Sequence, residues 1–172
     1  MLPHVLRRPS RRLVVAALAV AAGAVQAQAL PSGVELGMRA DELQAVLPGL
    51  ERVQRPPRLA GGLVGQWRAE PVTVAGLRFE PVFYLGGGQL RRVEWAADVR
   101  STPDAGADAF AELVAWGRDR FGAELASSDP GSAYAAWVAG DTDVYAQRTS
   151  DPRHASVRLV YKLRRQKDAS EL

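Results

Sequence analysis

One histidine stands downstream of the first 29 residues. It is His154, in the turn Ser150-Asp151-Pro152-Arg153-His154. A Ser-His-Asp mechanism needs a histidine held and oriented inside a pocket. A surface turn does not supply that, so His154 reads as a turn residue. Asp141, Asp143 and Asp151 would join it if the ends of a hairpin met, and three carboxylates can hold Ca²⁺. Asp141-Thr142-Asp143 lacks the further ligands and the glycine of a calcium loop, so it too reads as a turn. Gly86-Gly87-Gly88 resembles a phosphate cradle only by composition. Such a cradle lies between a strand and a helix, and this one joins two strands. Arg52, Arg55 and Arg58 are spaced three apart around Pro56-Pro57. They offer an anion-binding strip, but a solvated loop is the preferred reading. No carboxylate pair stands in a context for glycoside hydrolysis. The chain has no cysteine, which removes thiol nucleophiles, redox pairs and Cys-based zinc sites. The expectation is a non-enzymatic protein without metal or cofactor.

Aromatics and arginines carry the remaining functional signal. Trp95 shares the strand phase of Val93 and Val99 and is expected in the core. Trp116 borders the stripe of a helix. Trp137 is out of phase with Tyr134, Ala136 and Val138, so its face stays open. A sheet face that mixes aromatics with arginines suits a binding surface. The candidates are Arg91, Arg92, Trp137 and Arg148.

These residues need a sheet to position them. Val72–Ala75, Leu77–Leu85 and Leu90–Val99 alternate apolar and polar residues, the period of strands with one buried face. Leu77, Phe79, Phe83, Leu85, Val93 and Trp95 mark that face. A further strand is expected from Leu63 to Ala69. Proline cannot donate to a ladder, so Pro71 opens a strand and Pro81 marks a bulge or an edge. Ala133–Ala139 and Thr142–Arg148 form a hairpin about Gly140-Asp141, and Ser156–Leu163 alternates cleanly. Val34-Glu35-Leu36 reads as a brief strand, Leu50–Gly62 as a polar connection and Ser127–Ser132 as a loop.

Two helices are expected. Asp41, Glu42, Leu43, Val46 and Leu47 fit about two turns, ended by Pro48-Gly49. Thr102-Pro103-Asp104 reads as a start signal. Phe110, Leu113, Val114, Gly117 and Phe121 follow at helical spacing, and Gly122 closes the helix. This second helix is expected over 102–121.

Residues 1–29 have the three parts of a secretory signal peptide. Arg7, Arg8, Arg11 and Arg12 precede the apolar run Leu13–Val25, and Ala27-Gln28-Ala29 is a small-x-small site. A run of about 13 residues is short of the roughly 20 needed to span a bilayer. Cleavage is expected after Ala29, with Ala27 second. The whole chain carries 22 Lys+Arg against 19 Asp+Glu. Four of those arginines and no acid lie in the leader, which leaves 18 basic residues against 19 acidic ones. The basic balance therefore belongs to the leader and gives no support for nucleic-acid binding.

The segment Gly37-Met38-Arg39-Ala40-Asp41-Glu42-Leu43-Gln44-Ala45-Val46-Leu47-Pro48 resembles the opening of the SmpA/OmlA (BamE-like) periplasmic α/β modules. In those a Gly-Met precedes a short helix on an antiparallel meander. Arg39 stands where Ser or Thr is usual, and no lipidation cysteine is present. A second resemblance is to the beta-lactamase-inhibitor-like fold, with two such modules in tandem. Both imply adaptor or inhibitor architectures.

The expected fold is α+β: two helix-then-antiparallel-meander modules, with helices packed on one face of the sheet. One domain spans 30–165, with half-repeats at 34–100 and 101–163, and a flexible tail at 166–172. The expected function is that of a periplasmic or secreted protein binding a protein or envelope component through a sheet face. The alternative is a small-ligand protein with a pocket between helix 102–121 and the sheet.

Overall fold

The computed structural model describes residues 30–164, apart from 75, 130, 152 and 153. The signal peptide expected at 1–29 and the tail expected at 166–172 lie outside the described residues. In chain order, α1 (Ala40–Val46) precedes β1 (Glu51–Arg52), β2 (Arg58–Leu59), β3 (Leu63–Arg68), β4 (Val72–Val74), β5 (Leu77–Gly86) and β6 (Gln89–Asp98). Then follow α2 (Ala107–Phe121), β7 (Leu125–Asp129), β8 (Ser132–Ala139), β9 (Thr142–Thr149) and β10 (Ser156–Leu163). The class is α+β, and the strands form one antiparallel sheet. Its path is β1-β3-β5-β6-β10-β9-β8-β7, with β2 beside β3 and β4 beside β5.

The long strands form where the alternation is cleanest. Gly87 and Gly88, both at positive φ, turn β5 into β6, as a two-residue hairpin requires. The register pairs Tyr84 with Arg92 and Leu85 with Leu90, leaving Arg91 as an extra residue. That bulge lets both Leu90 and Val93 reach the core despite their odd spacing. Pro81 lies in the interior strand β5, at the break between β3 and β4. Its carbonyl accepts the Ala69 N–H at 3.2 Å. Its nitrogen faces the same side, where no donor is needed.

One core cluster joins Phe79, Phe83, Val93, Trp95, Val144 and Leu159 to Leu43 of α1 and Leu113 of α2. Helix α2 packs across β8, β9 and β10, and α1 meets β6. The start of α1 is tied down by the Arg39–Gln89 bridge and by Leu90 N–H donating to Met38 O at 2.7 Å. Arg39 offers no side-chain cap. Instead the Glu42 carboxylate accepts the Arg39 backbone N–H at 2.7 Å, half of a capping box.

Several expectations are corrected. Residues 34–36 are not a strand but link two turns, with Val34 buried in the core. The connection 50–62 contains β1 and β2, whose irregular edge is held by Val53 N–H to Gln66 O and Gly65 N–H to Pro57 O. The loop expected at 127–132 is occupied by β7 and the start of β8. Helix α2 starts five residues later than expected. The chain passes through Gly106 at φ +76, where a Cβ would lie 2.5 Å from Val157 and 2.9 Å from Val99. Thr102 bonds back to the Val99 carbonyl in a turn. The Asp104 carboxylate caps the helix by accepting the Gly106 and Asp108 N–H groups, which holds its pKa below the usual range.

Candidate binding surface

Alternation along each strand gives the sheet two faces. The inner face carries the core cluster. On the outer face the register aligns Tyr84, Arg92, Lys162, Asp143 and Val138 in one row. The adjoining row holds Val82, Glu94, Val160, Tyr145, Ala136 and Leu125.

Arg92 is the hub of this face. Its guanidinium lies over the rings of Tyr84 and Tyr145, 5.9 and 5.6 Å from their centroids. Tyr145 in turn touches Tyr134, with centroids 5.4 Å apart. The Glu94 carboxylate accepts Arg92 Nε at 3.2 Å and Nη2 at 2.6 Å. Its other oxygen faces Arg158 Nη1 at 3.3 Å. The Glu94 and Arg92 side chains are only 9% and 14% exposed. A charge pair so far from water persists only when its hydrogen bonds are made, and here they are. Burial is the largest single influence and opposes the Arg92 charge, but the hydrogen bond donated to Glu94, together with the Tyr145 and Glu94 oxygens nearby, outweighs it and the pKa is raised. Burial raises the phenols of Tyr84 and Tyr145, so both stay neutral. Val160 is fully buried in the middle of the cluster.

Gly65 closes one flank. A Cβ there would lie 2.9 Å from Pro57 and Val82 and 3.0 Å from Tyr84. Only glycine lets the Pro57 loop lie against this side of the sheet. Beyond the cluster, Asp143 accepts Arg164 at 3.1 Å and faces Lys162 at 3.9 Å.

The four candidates from the sequence do not form one surface. Arg92 holds the outer face. Arg91 occupies the bulge and donates to Gln89. Trp137 is 4% exposed and belongs to the inner core. Its Nε1 donates to Gly122 O at 3.1 Å, and its ring fills the space over Gly117. Arg148 has the inner phase and reaches the Asp104 carbonyl at 3.4 Å. Tyr84, Glu94, Tyr145, Arg158 and Lys162 were not singled out in the sequence. The available signal was Arg92 and Glu94, two positions apart and so on one face of β6.

The turn residues separate as well. Asp141 and Asp143 lie at the start of β9 and Asp151 beyond its far end, so they cannot share a calcium ion with His154. Among the described residues no group of three or more acids or histidines could hold a metal ion. His154 lines an open depression of about 800 Å³ with Arg78, Glu80, Asp98, Arg100 and Arg158. Asp98 is paired with Arg100, and that hydrogen bond holds its pKa down to about 2. The Ser156 hydroxyl there is 3.1 Å from the Thr149 hydroxyl. The depression thus presents a polar, ion-paired lining. Arg52 lies over the Trp67 ring, 5.5 Å from its centroid.

Comparison of the chain with protein-family models, curated proteins and solved structures returns no match.

Proposed function

We propose that this is an exported, non-enzymatic protein that binds an acidic surface of a protein partner in the periplasm through the outer sheet face. One observation carries this reading. Among the described residues around the Tyr84–Arg92–Tyr145 stack, four cations (Arg92, Arg158, Lys162 and Arg164) share two carboxylates, Glu94 and Asp143. Arg158, Lys162 and Arg164 keep nearly half of their side-chain surface in water. Such a face attracts carboxylates, while the locked Arg92 and its tyrosines give a rigid aromatic anchor. The leader read at residues 1–29 supplies the route to the periplasm. At Gly117 the space between α2 and the sheet is filled by Trp137, so the ligand-pocket alternative gains no support there.

The strand order also supports a tandem arrangement. Counted inward from the edges, β1-β3-β5-β6 and β7-β8-β9-β10 run in chain order and meet at β6–β10. Each half is preceded by its own helix. We read this as two helix-then-meander modules joined at their last strands, with both helices against the inner face.

The test is capture from periplasmic extract by the exported chain and by the Lys162→Glu, Arg164→Glu double variant. The expected result is a protein partner retained by the parent and lost on charge reversal. Equal capture by both would refute the acidic-partner reading. N-terminal sequencing of the exported product should begin at Leu30 or Gln28, and an intact Met1 would refute export with cleavage.

A further inference from the structure

Opposite charges two positions apart recur on this sheet. Arg92 and Glu94 close on each other, and so do Asp98 and Arg100. Arg78 and Glu80 have the same spacing on the outer face of β5. Yet neither of their side chains makes a hydrogen bond or an ion pair among the described residues. Both are exposed. They form an open pair, a cation and an anion held apart on one strand.

A second observation falls at the same place. Arg78 and Glu80 line two hollows at once. The larger is the depression of about 800 Å³ that His154 also lines. It exists because the register sets Ala96 between Glu80 and Arg158, a methyl group where the preceding position of β6 on this face carries Glu94. Its other acid, Asp98, is taken by Arg100, so Glu80 is the acid left without a cation. The smaller hollow, of about 220 Å³, holds Glu70 and the Glu51–Arg68 pair beside Glu80, a lining that repels a carboxylate.

We propose that the hollow over Ala96 binds a zwitterionic dipeptide, with its ammonium on Glu80 and its carboxylate on Arg78. A simple anion is repelled by Glu80 and a simple cation by Arg78, whereas a zwitterion satisfies both. Length selects the dipeptide. Residues two apart on a strand are separated by about 6.6 Å, and an extended dipeptide spans about 7 Å. A free amino acid holds its two charges about half as far apart. Laid along β5, the dipeptide brings each charged end beside its partner and turns one side chain over Ala96. An exposed ion pair contributes about fivefold in affinity at most, so the ligand is weak and exchanges freely. The site is separate from Lys162 and Arg164, which the acidic-partner reading uses.

Amide NMR of the exported chain, titrated with the dipeptide Ala-Ala, tests this. N-acetyl-Ala-Ala lacks the ammonium, and Ala-Ala amide lacks the carboxylate. Ala-Ala is expected to shift the amides of Arg78, Glu80 and Ala96 saturably, and each blocked form to bind about fivefold more weakly. Arg78→Gln should lower the affinity for Ala-Ala to that of its amide, and Glu80→Gln to that of the acetyl form, because each variant removes the partner of one end. Both positions are exposed, so the core is undisturbed, and circular dichroism verifies the fold. Absence of saturable shifts at these amides overturns the proposal. So does free alanine binding as tightly as Ala-Ala, equal binding of the blocked forms, or a preference for the free dipeptide that survives in both variants.

Discussion

Gly117 gives the sharpest test of the packing between α2 and the sheet. Replacing it by alanine should help an isolated helix by about 1 kcal/mol, because glycine is the poorer helix former. In the folded protein the added Cβ would lie 2.3 Å from Trp137 Cζ2 and 2.4 Å from Cη2. Ordinary contacts start more than 1 Å further out, so the ring must move. It is not free to do so, because its Nε1 is bound to Gly122 O and its face packs against Phe121. Overpacking of this kind costs roughly 1–3 kcal/mol, and loss of the indole hydrogen bond adds about 1 kcal/mol. The clash therefore wins, by roughly 1–3 kcal/mol, and Tm should fall by about 3–12 °C. Thermal and urea unfolding followed by circular dichroism measure this. Ala115→Gly, at an exposed position of the same helix, serves as the control and should cost about 0.5–1 kcal/mol from propensity alone. Trp137→Phe removes the atoms that clash. In the Gly117→Ala background it should be better tolerated than in the parent by at least about 1 kcal/mol. A rise in Tm for Gly117→Ala would refute the reasoning, since it would show the slot over Gly117 to be roomy.

Three further outcomes are expected. Arg92→Met takes both hydrogen bonds from the buried Glu94 carboxylate, leaving it only the half-exposed Arg158, and should cost about 3 kcal/mol, most of which a second change, Glu94→Leu, should return; equal losses for single and double variants in urea melts would contradict this. The hydrogen bond from Arg118 holds Glu124 down to about 2, and Arg100 does the same for Asp98. Because both folded values are depressed, the pairs' stabilisation is present above the unfolded carboxylate range near 4 and is lost as pH falls toward 2. Carboxyl NMR titration should show this, with Arg118→Ala returning Glu124 to its ordinary range; an unchanged Glu124 midpoint would refute the pairing. Burial raises the Tyr161 phenol, so its contribution is complete below pH ~10 and falls as pH rises further. In an ultraviolet titration Tyr161 should ionise only as the protein unfolds, and early ionisation in the native state would contradict its burial.

Much of the sheet was legible in the sequence. The alternation in β5, β6 and β8–β10 is strong because one face is dry, and the glycine-bearing turns bracket those strands. The short strands were hidden for a physical reason. β1 and β2 lie among arginines and prolines that resist regular pairing, and β7 is a polar edge whose period carries little contrast. The helix start was misplaced because Thr102-Pro103 has the chemistry of a cap. The real entrance is set by tertiary closeness at Gly106, between Val99 and Val157. Trp137 could not be assigned to a face from its own strand. Its place is decided by a glycine one helix away, which a periodicity scan counts as apolar without registering it as a slot. Of the candidate surface, the sequence offered Arg92 and its same-strand partner Glu94. The residues around them come from β5, β9 and β10, and only the register brings these together.

The pairing of β6 with β10 has a consequence for how the chain reaches this structure. β5–β6 and β8–β9 are hairpins that close over a few residues. The seam between them joins positions as distant as Arg92 and Lys162. Closing so long a segment costs entropy before any contact rewards it. The centre of the finished sheet is therefore its least local element, and its formation sets the folding rate. Changes at the seam, such as Leu159→Ala, should slow refolding, while changes confined to α1 should act mainly on unfolding.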